Sequence, residues 1–311
     1  MKRHFIHMIM LTIFLTSVSL ASDMKNKNGS VGAQFLKIGV GARASGMSGA
    51  FVAISDDISA VYYNPGGLTN VSSMQAMFTM ISLPADIKYQ FAAAAIPIDK
   101  IRGVIAVSFA NLNSGDMKVT TPMRPFGTGE NFCTSNIATG ITYASALTDR
   151  FSFGMTMKAI GLYSFGYSTH SMGFDIGTLY KTGFKGMKIG ARIANFGTDL
   201  KYIDEAFPMP VMMEIGSAFD LLEMENVSLS TAFQGARIND SFENYTLGFE
   251  SRLMSILCLR TGYRWMNDSE RFSFGVGIVI PIGSYHINID YSYTDMHYLT
   301  NYQRFSILLS L

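Results

Sequence analysis

The sequence contains little charge and few residues of the kinds that bind metals. Only 15% of its 311 residues are charged, whereas a typical soluble domain has about 25%. The formal net charge is +1, so we expect no basic surface for nucleic acid. The two cysteines and five histidines are scattered without metal-site spacing, and we expect no metal or other cofactor. Cys133 and Cys258 lie in distant predicted strands, which predicts two small buried side chains rather than a disulfide.

Long apolar runs are also missing, except at the start of the chain. An apolar segment over 5–15 follows the basic residues Lys2 and Arg3 and precedes the small-residue pattern Ser19-Leu20-Ala21. This pattern predicts a secretory signal peptide over 1–21, with cleavage before Ser22. An N-terminal membrane anchor is the alternative, but polar residues follow at once and the apolar segment is short for a bilayer.

The sequence does contain strict two-residue alternation over most of its length. In 271–280 the side chains of Phe272, Phe274 and Val276 share one face, while Ser273 and Gly275 share the other. Such a period predicts strands with one apolar face. We predict fourteen of them: 73–83, 86–98, 101–111, 133–147, 150–164, 171–181, 186–196, 209–220, 226–236, 242–253, 255–266, 270–282, 284–294 and 302–311.

The charges of these strands lie on the face opposite the apolar one. They are Lys158, Lys188, Arg192, Glu214, Glu250, Arg252, Arg260, Arg264, Asp290 and Arg304. A soluble sandwich is the alternative, but its outer faces would carry more lysine and glutamate. An exported, apolar chain without membrane helices favours an all-β fold: a 14-stranded antiparallel transmembrane β-barrel in the lipid bilayer of the bacterial outer membrane.

The stretch 39–70 differs from the strands because it is dense in glycine, alanine and serine. We expect it to form a compact hatch inside the barrel, preceded by a polar leader. The predicted organisation is 1–21 signal peptide, 22–72 leader and hatch, and 73–311 barrel. Arg43, Asp56 and Asp57 are candidate latch residues, by capping or by a salt bridge to the wall. Asn64 and Pro65 form a turn that we also assign to holding the hatch.

The sequence contains no complete motif of catalytic residues. The run Gly39-Val-Gly41-Ala-Arg-Ala44 matches a relaxed dinucleotide fingerprint, but no strand–helix–strand unit or correctly spaced acidic residue accompanies it. No G-x-S-x-G elbow is present. We therefore expect a protein that is not an enzyme.

The opening stretch resembles the N-terminal signature of the PorV/PorQ family of outer-membrane proteins. The residues that carry this resemblance are Phe35-Leu36-Lys37-Ile38-Gly39, Gly41-Ala42-Arg43, Gly46-Met47, Gly49-Ala50-Phe51-Val52-Ala53, Asp56-Asp57, Ala60, Tyr63-Asn64-Pro65 and Gly67-Leu68. The Asn64-Pro65 part also resembles the hatch motif of FadL-type fatty-acid transporters. Gly66 stands where alanine is usual in that motif, and Ser48 where the family commonly has glycine.

The resemblance implies a FadL-like barrel with an N-terminal hatch in its lumen. In the PorV branch it implies a protein-binding role in type IX secretion, with a large outer-membrane translocon barrel and secreted cargo signal domains as partners. The longest predicted loop, 112–132, would engage them through Met123, Arg124, Pro125 and Phe126.

The alternative function is transport of a hydrophobic small molecule across the outer membrane, as in FadL-type proteins. Transport predicts an apolar pocket between hatch and wall with a strand kink beside it. A lumen filled by polar contacts, with no lateral gap, would argue against transport.

Overall fold

A computed structural model describes residues 29–184, 186–267, 269–283 and 285–311. The predicted signal peptide, 1–21, and the first residues of the leader lie outside this part. No helix among the described residues is long and apolar enough to cross a membrane.

The described chain forms a closed barrel of fourteen antiparallel strands, each paired with its neighbours along the chain. Numbering every strand in chain order, the barrel strands are β1 Gln75–Ser82, β2 Lys88–Ile98, β3 Gly103–Asn113, β6 Thr134–Ala146, β7 Phe151–Ser164, β8 Tyr167–Lys181, β9 Lys188–Gly197, β12 Met212–Glu223, β13 Val227–Ile238, β14 Asn244–Leu253, β15 Leu257–Trp265, β16 Glu270–Ile282, β17 Tyr285–Met296 and β18 Tyr302–Ser310. β1 pairs with β18 from Gln75–Ser310 to Ser82–Gln303, which closes the barrel. The predicted fold class is confirmed.

Two short hairpins stand outside the barrel sheet. β4 Met117–Lys118 pairs with β5 Asn131–Phe132, and β10 Leu200–Tyr202 pairs with β11 Glu205–Phe207. Both lie in long connections at one end of the barrel. Because outer-membrane barrels have short periplasmic turns and longer extracellular loops, this is the extracellular end.

One predicted loop is much shorter than expected. The alternation suggested a loop over 165–170, but β8 already begins at Tyr167. Phe165 and Gly166 both have positive φ, 46° and 81°, which is the backbone of a two-residue hairpin turn. The prediction was wrong because Phe-Gly is not the usual sequence for such a turn.

The outer wall is apolar and the inner wall carries the charge. On β16, Phe272 is 46% exposed and Phe274 is 53% exposed, while Ser273 between them is 1% exposed. This apolar belt is the surface that faces lipid. The charges lie on the inner face, because a charge facing lipid at the bilayer midplane would cost about 2–4 kcal/mol. Of the predicted inner-face charges, Lys188 and Arg264 are half-buried and Arg252 is exposed. The other seven are buried.

Neither cysteine is in a disulfide, as predicted. Cys258 is buried on the inner face of β15, but Cys133 is exposed. The expectation of a buried side chain was wrong for Cys133, because this residue lies between β5 and β6 in an extracellular loop, outside the packed wall.

Candidate functional site

The described residues before β1 lie mostly inside the barrel and occupy its lumen. It forms the 3-10 turn Gln34–Lys37, the short helices Ala42–Gly46 and Ala60–Tyr63, and the 3-10 turn Pro65–Asn70. Nearly all residues from 39 to 68 are buried. The small side chains of this segment explain how it fits in so narrow a space.

Glycines of the wall lie directly against the hatch backbone. A methyl group added at Gly262 would overlap the Met47 carbonyl carbon, and one at Gly190 would overlap the Val52 carbonyl oxygen. Gly177 lies against the Asn64 side-chain oxygen and the Pro65 nitrogen. These contacts explain why the inner face has glycine at positions where a soluble sheet would carry a polar side chain.

Asn64 and Pro65 connect two parts of the hatch with the wall. The Asn64 side-chain amide donates to the carbonyls of Val52 at 2.7 Å and Thr178 at 2.9 Å. Its Oδ1 accepts the Gly66 amide at 3.1 Å. Pro65 follows at the first position of the 3-10 turn, where a missing N–H costs nothing. Asn64 is fully buried, so all three of its side-chain hydrogen bonds are made away from water.

Arg43 is the centre of an ion-pair cluster between hatch and wall. Its Nη1 contacts Asp56 at 2.6 Å and Asp57 at 2.7 Å. Its Nε and Nη2 bind both oxygens of Glu250 on β14, at 2.9 and 2.8 Å. Such a two-bond arginine–carboxylate pair is among the stronger charged contacts. Burial alone would lower the pKa of Arg43, but the carboxylates of Asp56, Glu250 and Asp57 raise it well above its ordinary value.

The cluster continues along the inner wall. Arg260 on β15 donates to Glu250 at 2.6 Å and to Asp290 on β17, also at 2.6 Å. Asp57 additionally accepts the amide of Ser59 at 2.8 Å, and its ion pair is with Arg43 of the hatch rather than with the wall. The structure therefore brings Arg43, Asp56 and Asp57 together. Their role as a latch stays a prediction.

Sequence reasoning missed several wall residues that contact the hatch backbone, among them Gln234 and Ser306. The Gln234 side chain accepts the amides of Phe51 at 3.1 Å and Val52 at 3.0 Å. The Ser306 hydroxyl accepts the amide of Ala42 at 2.8 Å. Both side chains occupy inward positions of the alternation, which was the only signal available, and many other polar residues share it.

The extracellular half of the lumen has an apolar compartment on the β1–β8 side. The leader supplies Phe35 and Leu36, which are 3% and 4% exposed. This part of the leader was predicted to be polar, and it is instead packed into the core. Phe35 and Leu36 belong to one buried apolar cluster that also runs through the hatch and includes, from the wall and the loop 198–211, Ile81, Tyr89, Phe91, Ile160, Leu200 and Met209.

The wall is irregular beside this compartment. The pairing of β8 with β9 shifts by one residue between Phe174 and Ile176, so β9 contains a bulge at Asn195, where φ is 59°. The Asp175 carboxylate accepts the Asn195 amide at 2.8 Å and binds Lys158 at 2.6 Å. The fourteen strands are hydrogen-bonded all the way round, so this described wall has no open lateral gap.

The predicted partner loop lies outside the barrel sheet. It carries the hairpin β4–β5, and its tip is exposed. Met123 is 94% exposed and Phe126 is 93% exposed, with Arg124 and Pro125 between them also exposed. Among the described residues, no group of three or more His, Cys, Asp or Glu side chains is arranged to hold a metal.

Comparison with known proteins gives matches in structure alone. No protein-family model and no curated protein matches this sequence. The CymD monoaromatic hydrocarbon channel aligns with 88% of this chain and 96% of its own, at 13% identity and a TM-score of 0.61. The toluene transporter TbuX of Ralstonia pickettii aligns over 87% and 97%, at 12% identity and a TM-score of 0.61. A FadL homologue of Pseudomonas aeruginosa aligns over 87% and 97%, at 12% identity and a TM-score of 0.58.

All three similar structures are FadL-like barrels. At 12–13% sequence identity, the similarity shows a shared fold alone. A closed barrel with an apolar outer belt is also the architecture of the proteins that span the bacterial outer membrane. We therefore place this chain in that membrane. The chain therefore has the fold of the FadL-like outer-membrane barrels, with the described segment 31–71 packed in the lumen.

Proposed function

We propose that this protein lets hydrophobic small molecules cross the outer membrane. The observation that carries the proposal is the apolar compartment in the extracellular half of the lumen, to which the buried leader residues Phe35 and Leu36 contribute. When these side chains leave, an apolar space opens between hatch and wall. A hydrophobic molecule can replace them there, because it buries the same kind of surface.

Two loop residues, Asp240 and Pro208, hold the leader in this compartment. Lys37 binds both oxygens of Asp240, at 3.1 and 3.0 Å, and Gln34 donates to Asp240 at 3.1 Å. The Gly32 amide donates to the Pro208 carbonyl at 2.9 Å. Both acceptors belong to extracellular loops, so the leader is held from the outside. The proposed opening is movement of the leader away from these loops.

The bulge at Asn195 supplies the second element that transport requires. It lies beside Met209 and Pro210, and Asn195 donates to the Pro210 carbonyl. A bulge weakens the local ladder of hydrogen bonds. FadL-type transport, by resemblance, releases its ligand through the wall. The similar solved structures named as a toluene transporter and a monoaromatic hydrocarbon channel support this function over the others considered.

The test is entry of an apolar dye into vesicles that contain the protein. Wild-type protein is expected to admit N-phenylnaphthylamine faster than empty vesicles do, while a polar sugar stays excluded. Asp240→Asn is expected to accelerate dye entry about tenfold. The reason is that a charged hydrogen bond contributes about 1.5–3 kcal/mol, and about 1.4 kcal/mol corresponds to a factor of ten.

Glu243→Gln is the matched control for this test. Glu243 is on the same loop, but its partner is Arg237 on the outer wall rather than the leader. It is expected to leave dye entry unchanged. Equal entry rates for wild-type and empty vesicles would contradict the transport proposal.

A second candidate function is cargo binding in type IX secretion, which we keep because of the loop tip at Met123 and Phe126. Two large apolar side chains more than nine-tenths exposed are unusual unless something covers them. A partner of this function would be a secreted signal domain or the large translocon barrel.

Capture on beads distinguishes this candidate from transport. The immobilised full-length protein is expected to retain secreted proteins that carry a C-terminal signal domain. Replacing Met123 and Phe126 together by serine should reduce the retained amount about tenfold, because buried aromatic anchors dominate such interfaces. Phe242→Ser, on another extracellular loop, is the control. No capture by the wild-type protein would exclude this function.

A further inference from the structure

A small polar cavity lies between hatch and wall in the extracellular half of the lumen. Its volume is about 70 Å³. Its lining includes Lys37, Ser45, Ser48 and Tyr63 from the leader and hatch, and Arg264 and Arg304 from the wall. The cavity is separate from the apolar compartment in its chemistry, because three cations, one carboxylate (Glu270) and several hydroxyl groups line it.

The positive charge around this cavity is not balanced. Lys37 is paired with Asp240, and Arg264 is paired with Glu270 at 2.6 Å. Arg304 is 3% exposed, and in the part of the chain that the structure describes no carboxylate lies within ion-pair distance of it. A buried charge without a counter-charge is costly, so proteins normally pair it.

The contacts that Arg304 does make are to neutral groups. Its Nη1 donates to the Thr294 hydroxyl at 2.8 Å, and its Nε donates to the Gly39 carbonyl at 3.3 Å. Its guanidinium lies 5.4 Å from the centre of the Tyr302 ring. None of these groups supplies the negative charge that the arginine lacks.

Two further polar atoms at the cavity have no hydrogen-bond partner among the residues that the structure describes. They are the Ser48 hydroxyl and the Nε of Arg264, both buried. Ser48 has φ of 54°, in the left-handed region that favours glycine, so its side chain is present despite a backbone that disfavours it. Arg304, Arg264 and Ser48 therefore offer hydrogen-bond donors, with excess positive charge, at one cavity.

We propose that this cavity binds a small oxyanion: a carboxylate, phosphate or sulfate group. Arg304 and Arg264 supply the charge and the planar donors that suit such a group, and Ser48 adds a hydroxyl. Because Ser48 belongs to the hatch and both arginines belong to the wall, the bound anion ties the hatch in its seat. This proposal does not depend on what, if anything, crosses the barrel.

The test is calorimetric titration of the full-length protein, folded in detergent micelles, with sodium phosphate, sodium sulfate and sodium acetate. Chloride keeps the ionic strength constant. Saturable binding at one site is expected for at least one of the three anions, together with a rise in melting temperature as that anion is added. Arg304→Gln is expected to weaken binding at least tenfold. Arg150→Gln removes the same charge from an exposed turn at the other end of the barrel and is expected to change nothing.

The three anions separate the sources of the oxyanion. Binding of phosphate or sulfate alone identifies a tetrahedral oxyanion group, whereas binding of acetate identifies a carboxylate, and either result supports the site. If the wild-type protein shows no saturable binding of any of the three anions, the proposal is overturned. This outcome does not require that the arginine variant folds. Equal affinity of the wild-type protein and a folded Arg304→Gln or Arg264→Gln protein overturns it too.

Discussion

Replacing Arg43 by alanine is expected to lower the free energy of unfolding by about 3–5 kcal/mol and to free the hatch. The change removes the one cation shared by Asp56, Asp57 and Glu250 and leaves only Arg260 beside the buried Glu250. Removing one partner of a buried ion pair has an effect of this size, because Asp57 then stays largely buried without this cation while Glu250 keeps only one of its two arginines. Urea titration of the folded protein measures the stability, and limited proteolysis reports on the hatch.

Three variants separate the cluster from a general loss of charge. Arg43→Lys keeps the charge but loses the two-bond contact to Glu250, so a smaller loss of stability is expected. Alanine at both Asp56 and Asp57 should also loosen the hatch and lower the melting temperature, but by less than Arg43→Ala, because Glu250 keeps both arginines. Arg150→Ala is the exposed control. Unchanged stability and protease resistance in Arg43→Ala would refute the latch.

Replacing Gly262 by alanine is expected to displace the hatch while the barrel stays closed. The added methyl group overlaps the backbone between Met47 and Ser48, and a backbone segment cannot turn away as a side chain can. Overpacking of this kind costs about 1–3 kcal/mol or more. We expect cleavage of the hatch by protease, a lower melting temperature and faster entry of small polar solutes into vesicles. The folded barrel should still migrate differently from the boiled protein on a gel.

Gly235→Ala is the matched control for the crowded glycine. Gly235 is also in a barrel strand, but it faces outward, and an added methyl group would lie 3.4 Å from the Tyr245 ring, an ordinary contact. The intrinsic effect of exchanging glycine for alanine in a strand is the same at both positions. Equal behaviour of the two variants would mean that close contact with the wall does not hold the hatch.

The barrel itself could be predicted because strand alternation is a local property. Phe272 and Phe274 face outward and Ser273 inward as a direct consequence of the extended backbone, whatever the rest of the chain does. The strand number and most boundaries follow from the same period. The turn at Phe165 and Gly166 did not follow, because positive φ at a phenylalanine has no sequence signal.

The leader shows a different limit of sequence reasoning. Phe35 and Leu36 stand among polar and small residues, and no period marks them as buried. They are buried together with residues of strands and loops. Some of these, such as Leu200 and Met209, lie more than a hundred residues further along the chain. Such a surface exists only once the barrel has closed.

By itself, then, the sequence determined an exported barrel with apolar residues outside, charge inside and a small-residue segment before the first strand. Only the tertiary structure decided which charges meet. Arg43 is paired with Glu250 across 207 positions of sequence, while Arg304 has no carboxylate among the described residues. The reason is physical: the direction of a side chain follows from its own backbone, but its partner depends on strand register and on how the hatch is seated in the closed barrel.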